Sequence, residues 1–396
     1  MKVLVAGDTT FTKIGDKYYA KNIYGYEFWG RYLQVFDHIH VVSRVTNRKD
    51  TNTDVLLPVE GPGITVIELP NIRGIKGAIF ERCGFNNAVD QILQEENFDC
   101  GIFRLPSLPA MNVLGRFCKK DRPFVIEIVS NPLHAYPPLI SWIIAWDLKK
   151  KALLANGVSY VTERTLQKMF PSHCRKYRAD PNHFESYYSS INLDADSLCE
   201  PKDYTRRLPE YPFILAHTAN SINNRKKGHV TLLKVVALLR KQNYDIRVVC
   251  IGDGIMRPKF ENLAAQLQIR EAVTFTGRIS DPQKLLSILK GADMFVFPTY
   301  AEGLPRAIIE AMSLGLPCLS TARDGIPELL KPEYMFSPSD VHGFANKIRT
   351  LIQNPDEMNA MSKENLETAL KYTFERLETR RTAFYKNLKK EVESKL

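Results

Sequence analysis

Two rounds of one alternation constrain the fold of this chain more than any other feature. Short apolar stretches, KVLVAG from Lys2, IHVVSRV from Ile39, ITVIELP from Ile64, DCGIFRLP from Asp99, FVIEIVS from Phe124 and GVSYVTE from Gly157, are separated by segments of helical pattern. A strand with one solvated face alternates apolar and polar residues. A strand apolar throughout is buried on both faces, as in a parallel sheet covered by helices. After an irregular polar stretch over residues 179–212 the alternation restarts with FILAHTAN from Phe213, DIRVVCIGDG from Asp245, AVTFTG from Ala272, ADMFVFPTY from Ala292 and LPCLSTA from Leu316. The intervening HVTLLKVVALLRKQ carries apolar residues at helical spacing. The fold class is therefore α/β, with two doubly wound parallel-sheet domains.

At 396 residues the chain exceeds one hydrophobic core, which agrees with two domains. The boundaries expected are 1–200 for the first, joined by a C-terminal helix over about 375–396, and 205–374 for the second. From Asp356 onward the sequence reads as helix, with ENLETALKYTFERLETRRTAFYKNL free of Gly and Pro. Two such domains facing across a cleft would bring strand C-termini and helix N-termini to it, where open α/β sheets bind ligands.

Lys and Arg number 54 against 44 Asp and Glu, a balance of +10 that favours a polyanion, an anionic bilayer or a phosphate-bearing small molecule. The seven cysteines are dispersed without a C-x-x-C pair, which fits a reducing cytoplasm and argues against a cysteine zinc site. No run of eighteen apolar residues offers a membrane span, and the start MKVLVAGDTTFTKIGDKYY lacks the apolar core of a secretory signal.

The segment YAEGLPRAIIEAMSLGLPCLST opens at Tyr300. Pro305 suits a first helical turn, so free backbone N–H groups near Gly303, Leu304 and Arg306 would point out of the helix start, where phosphate binds. Glu302 precedes that start, and Glu310, eight residues on, could accept hydrogen bonds from a vicinal diol such as ribose. The two glutamates alone equally fit a carboxylate balancing the helix dipole and an exposed residue of an amphipathic helix. Gly252 and Gly254 in IGDG could form a tight turn needing positive φ. The cations of RKKGH, Arg225 to His229, could be a solvated charge run, although three cations beside a helix start are unfavourable unless an anion is bound.

Taken together, EGLPRAIIEAM and the DGIPELL that follows resemble the retaining nucleotide-sugar glycosyltransferases of family four, which carry E-x7-E in a frame like E-G-L-P-x-x-x-x-E-A-M on two Rossmann-like domains, the GT-B fold. IGDG at Ile251–Gly254, FTGRI at Phe275–Ile279 and ADMFVFPT at Ala292–Thr299 stand in the family's order. The resemblance implies that Lys227 contacts the donor diphosphate, that Glu302 holds the donor sugar, Glu310 the ribose and the Arg278 loop the base, and that Gly252, Gly254, Gly303 and Leu304 line the donor site. The family's earlier loop Arg is missing from HTANSINN, and Arg225 is its expected substitute. Catalytic roles fall on Glu302, Lys227 and Arg225.

The N-terminal half matches less closely. GDTTFTKIGDKYY replaces the family's paired glycines, and its usual His is not evident after FVIEIVS, although Ser130, Asn131 and His134 lie near. The D-x-D of Asp194–Asp196, a pattern that suits a hard cation, falls in the irregular stretch and is read as structural. PPLISWIIAWDLKKKALLA from Pro137 has the tryptophans, isoleucines and lysines of an interfacial helix, beside the commoner reading of core packing.

The implied function is retaining transfer of a sugar from a nucleoside-diphosphate sugar to a hydroxyl of a glycan or lipid-linked acceptor, in cell-surface polysaccharide or glycoconjugate synthesis. It needs no metal and no other cofactor. The expected place is the cytoplasm, with peripheral contact at an anionic membrane surface and no nucleic-acid partner. A sugar-nucleotide epimerase or a phosphorylase on the same scaffold is the alternative.

Overall fold

The computed structural model describes residues 1–21, 23–48, 56–71, 82–177, 182–207, 211–279 and 281–395. It divides into two units, Met1–Tyr188 with Glu378–Leu396, and Ser189–Leu377. Each is built on a parallel sheet.

The first unit contains β1 (Lys2–Ile14), β2 (Lys17–Ala20), β3 (His38–Asn47), β4 (Leu57–Pro58), β5 (Ile64–Leu69), β6 (Cys100–Leu105), β7 (Phe124–Ile128), β8 (Gly157–Tyr160) and β9 (Phe184–Tyr187). Its parallel core runs β5-β3-β1-β6-β7-β8-β9. Val3, Leu4 and Val5 are fully buried, as strands covered on both faces must be. The strand β1 outruns its apolar stretch: after an irregularity between Ala6 and Thr10 it continues along β3, then turns back so that Thr12 pairs antiparallel with Tyr19 of β2. Strand and hairpin thus take up GDTTFTKIGDKYY, the stretch expected from the sequence to stand in place of paired glycines.

One charge lies inside β7. Glu127 is buried and accepts hydrogen bonds from Arg104, from Tyr385, from Tyr188 Oη at 3.0 Å and from Tyr32 Oη at 3.3 Å. Burial alone would raise its carboxyl; the Arg104 charge and the tyrosine hydrogen bonds outweigh that and hold it below the usual carboxylate range. Tyr385 belongs to the C-terminal helix, so this cluster fastens the last residues of the chain to the first unit.

In the second unit, β10 (Phe213–Ser221), β11 (Ile246–Asp253), β12 (Val273–Gly277), β13 (Met294–Val296), β14 (Cys318–Thr321) and β15 (Met335–Phe336) form a sheet in the order β12-β11-β10-β13-β14-β15, parallel throughout. Strand order reverses between β10 and β13, the switch point at which doubly wound sheets open a crevice. Leu215, Val248, Met294 and Leu319 from the sheet pack with Leu232, Val236 and Phe344 from its helices.

The break between units comes at Ser189, inside the irregular stretch over residues 179–212 and ahead of the boundary expected at residue 200. Residues 178–181 and 208–210, at the start and toward the end of that stretch, lie outside the described residues. The part that follows Ser189 is tied to the second unit: Cys199 N donates to Ser313 O at 2.9 Å, Lys202 N to Ser362 Oγ at 2.9 Å and Tyr204 Oη to Asp293 O at 2.7 Å. The terminal helix is also interrupted. Pro355–Ala369 ends in a 3-10 turn at Leu370–Tyr372, Thr373 is extended, and a new helix covers Phe374–Glu393. Phe374 N donates to Leu193 O at 2.7 Å, a tertiary bond that stands in place of the continuous helical pattern.

Candidate functional site

The loops that follow β10 and β13 meet at the switch point of the second unit. The first carries RKKG and leads into the helix His229–Lys241; the second carries TYAEGLP and leads into the helix Arg306–Ser313. Tyr300 N donates to Lys226 O at 2.8 Å and joins the two loops. Gly228 makes their approach possible. It sits at φ 82°, and a Cβ there would lie 2.0 Å from Pro298 O.

This contact brings Lys227 to Glu302. Lys227 Nζ donates to Glu302 Oε1 at 2.5 Å, and Thr299 Oγ1 lies 3.2 Å from the same oxygen. No partner for Oε2 occurs among the described residues. The backbone of Glu302 is fixed separately, its N–H donating to Asp324 Oδ2 at 3.2 Å, while Gly325 N donates to Gly303 O at 2.8 Å. Neither Thr299 nor Asp324 stands out in the sequence. The readable trace of Asp324 is the dipeptide Asp-Gly, a turn signal, and the residue does adopt positive φ, 47°.

Beyond Glu302 the helix Arg306–Ser313 starts without a side-chain cap, its N-cap being Pro305. The N–H groups of Gly303, Leu304 and Arg306 donate to no other described residue. Leu304 itself is buried, so the uncapped turn rests on packed structure. A buried helix start with free donors is a ready place for an anion. Glu310 follows, half-buried; burial raises its carboxyl above the usual range, and the Arg306 charge offsets part of that. The carboxylate hydrogen-bonds to no described residue.

Gly252 and Gly254 have structural work beside the Lys227 loop. Gly252 has φ 130°, and its Cβ would lie 1.8 Å from Ala219 O; Gly254 has no positive φ, but a Cβ would lie 2.6 Å from Asn223 Oδ1. The end of β11 is thereby packed against the loop leaving β10. Arg225 is exposed in that loop without an ion-pair partner among the described residues, and Arg278 is exposed after β12. The structure does not bring either into contact with the Lys227–Glu302 pair.

Behind the pair lie two fully buried histidines that sequence reasoning passed over. His217 Nδ1 is 2.9 Å from Val296 O, its ring centroid is 4.5 Å from that of His229, and His229 stacks on Phe260 at 4.7 Å. Burial pulls their pKa values down, to about 4 for His217 and about 2 for His229, and Lys227 adds to both shifts. They remain neutral beneath Lys227 at ordinary pH. The H of KKGH and of FILAHTAN is the only trace in the sequence.

Other sequence candidates fall elsewhere. Asp194 caps a 3-10 turn, its carboxylate accepting from Asp196 N at 3.3 Å. In the first unit, Asn131 caps the short helix Pro132–Ala135, with Nδ2 3.4 Å from His134 Nδ1.

An uncapped helix start, a Lys–Glu pair and free donors thus meet at the switch point of the second unit, in a chain whose two parallel-sheet α/β units have the GT-B architecture. Over residues 219–368, which hold the catalytic and donor-binding residues expected from the sequence, the chain matches the family model of glycosyl transferases group 1. It is similar to protein CapJ of Staphylococcus aureus, 24% identical over 398 residues that cover 98% of this chain and 96% of CapJ. Among solved structures, sucrose-phosphate synthase from Thermosynechococcus elongatus shares the fold with a TM-score of 0.70 at 17% identity, covering 98% of this chain and 100% of that one. Alr3699/HepE of Anabaena, in complex with UDP, gives 0.65 at 16% identity, with the same coverage.

Proposed function

We propose that this glycosyltransferase moves a sugar from a nucleoside-diphosphate sugar to a hydroxyl of a glycan or lipid-linked acceptor, with retention of anomeric configuration, in cell-surface polysaccharide or glycoconjugate synthesis. The bond from the anomeric carbon to the diphosphate breaks, a bond to the acceptor oxygen forms, and the acceptor hydroxyl gives up its proton. The observation that carries this reading is the meeting of the uncapped helix start with the Lys227–Glu302 pair. On this reading Gly303 and Leu304 N–H groups and Lys227 take the charge that develops on the leaving diphosphate, with Arg225 assisting. Removing one preorganised donor aimed at developing charge costs an acyl-transfer enzyme roughly 3–4 kcal/mol, the scale expected of such donors here.

Glu302 holds the sugar hydroxyls and Glu310 the ribose, whose hydroxyls supply the hydrogen bonds the carboxylate lacks here. Gly252 and Gly254 line the donor site, and the Arg278 loop receives the base. No metal or other cofactor is called for in this scheme. The enzyme works in the cytoplasm, against the inner face of the membrane.

Thermal unfolding against UDP, GDP, ADP and their sugar conjugates tests the donor site. A nucleotide at a hundred times its dissociation constant adds about 2.7 kcal/mol, well within reach of the method. UDP heads the panel because HepE, of similar fold, is seen with it. Glu310→Ala should abolish the selective shift with the fold intact. A panel in which every member leaves the protein unmoved, or unchanged affinity in the variant, would sink the proposal. Conversion of one sugar nucleotide into another without an acceptor would point instead to an epimerase.

A further inference from the structure

The helix Pro138–Leu154 of the first unit has two faces and both are apolar where it begins. Ser141, Ile144, Ala145, Leu148 and Ala152 are buried on one side. On the opposite side Leu139 is 84% exposed, Trp142 73%, Ile143 64% and Trp146 55%. At 100° per residue these four fall within a narrow stripe, and Lys149 and Lys150 continue it toward the helix end. A stripe of this size and composition on open surface marks a partner.

We propose that this stripe docks on an anionic membrane surface, lying in its plane. The charges select the occupant. Lys149 and Lys150 are exposed, and the helix's one acidic residue, Asp147, is engaged by Lys151 at 3.5 Å, which leaves the exposed face basic. Lys150 Nζ lies 3.5 Å from the centroid of the Trp146 ring, so an amphipathic ring and a cation share one level, as at the headgroup boundary. The apolar residues would enter about 5–10 Å into the interface while the lysines meet lipid phosphates. Crossing is ruled out by the buried face, and no helix among the described residues is long and apolar enough to span. A protein partner would instead be met by a polar rim around the stripe, where this helix offers only lysine. Docking does not depend on the transferase chemistry; its corollary, that the acceptor hydroxyl is presented on a lipid carrier, rests on the reading above.

The full chain is mixed with vesicles of phosphatidylcholine, alone or with phosphatidylglycerol, and floated on a density gradient. Flotation should require the anionic lipid and weaken with salt. Of the three tryptophans only Trp142 and Trp146 are exposed, Trp29 being buried, so a blue shift on binding and quenching by brominated lipid report this helix alone. Combined Trp142→Ser, Ile143→Ser and Trp146→Ser should lower vesicle partitioning at least about tenfold while leaving nucleotide-induced stabilisation unchanged. Lys149→Glu with Lys150→Glu should remove the preference for anionic lipid. Absence of flotation, flotation that survives the triple change, or a dimer that the triple change splits without any vesicle binding would each overturn the proposal. A nucleotide panel that fails beside normal flotation would remove the transferase scheme and leave docking standing.

Discussion

Glu310 is a carboxylate held above its usual range in a half-buried place, without a hydrogen-bonding partner among the described residues, and that has a cost the unliganded protein bears. A raised folded-state value means stability that is complete below the unfolded carboxyl range and is lost as pH rises through the folded value. Glu310→Gln should therefore raise the melting temperature at pH 7 and have no effect near pH 4, while removing nucleotide-induced stabilisation; equal melting temperatures of variant and parent at pH 7 would contradict this. Opposite signs on stability and binding are the signature of a residue placed for a ligand. At this scale the sequence was legible where a motif supplied a frame: Lys227 and Glu302, singled out there, meet in the folded loops. Thr299 and Asp324 were not, because their contributions are a hydroxyl and a carboxylate aimed at neighbours that only the folded loops bring near.

Between residues and molecule, the deciding unit is the pair of loops at the β10/β13 switch point. Their closeness depends on Gly228, where a methyl group would meet both an unfavourable φ and the Pro298 carbonyl. Left-handed backbone costs a non-glycine residue about 1–2 kcal/mol before any overlap. Gly228→Ala should thus separate Lys227 from Glu302, lower stability by at least that amount in urea titrations, and weaken nucleotide stabilisation; a fully stable variant with unaltered binding would show that the loops can meet another way. The strands themselves were readable, since apolar runs buried on both faces leave an unmistakable trace. The hairpin of β1 with β2 was not, because its residues are polar and partly exposed, and the break at Thr373 was hidden by a helical pattern that tertiary contacts override.

For the whole molecule, the division into units cuts across chain order. The cluster around Glu127 is completed by Tyr385, from beyond the second unit. A chain ending at Leu377 would leave Glu127 short of a hydrogen-bond donor and expose the aromatic surface of Tyr32 and Tyr188. Limited proteolysis should then cut the first unit much faster while the second keeps its nucleotide-dependent stabilisation; equal resistance of both units would show the helix to be dispensable. The interleaving also sets an order of events during synthesis. The segment that begins the protein waits for residues 189–377 to be translated before its last helix exists, roughly 10–40 s at ordinary ribosomal speeds. The unit made first is finished last, and the second can be folded before the first is complete.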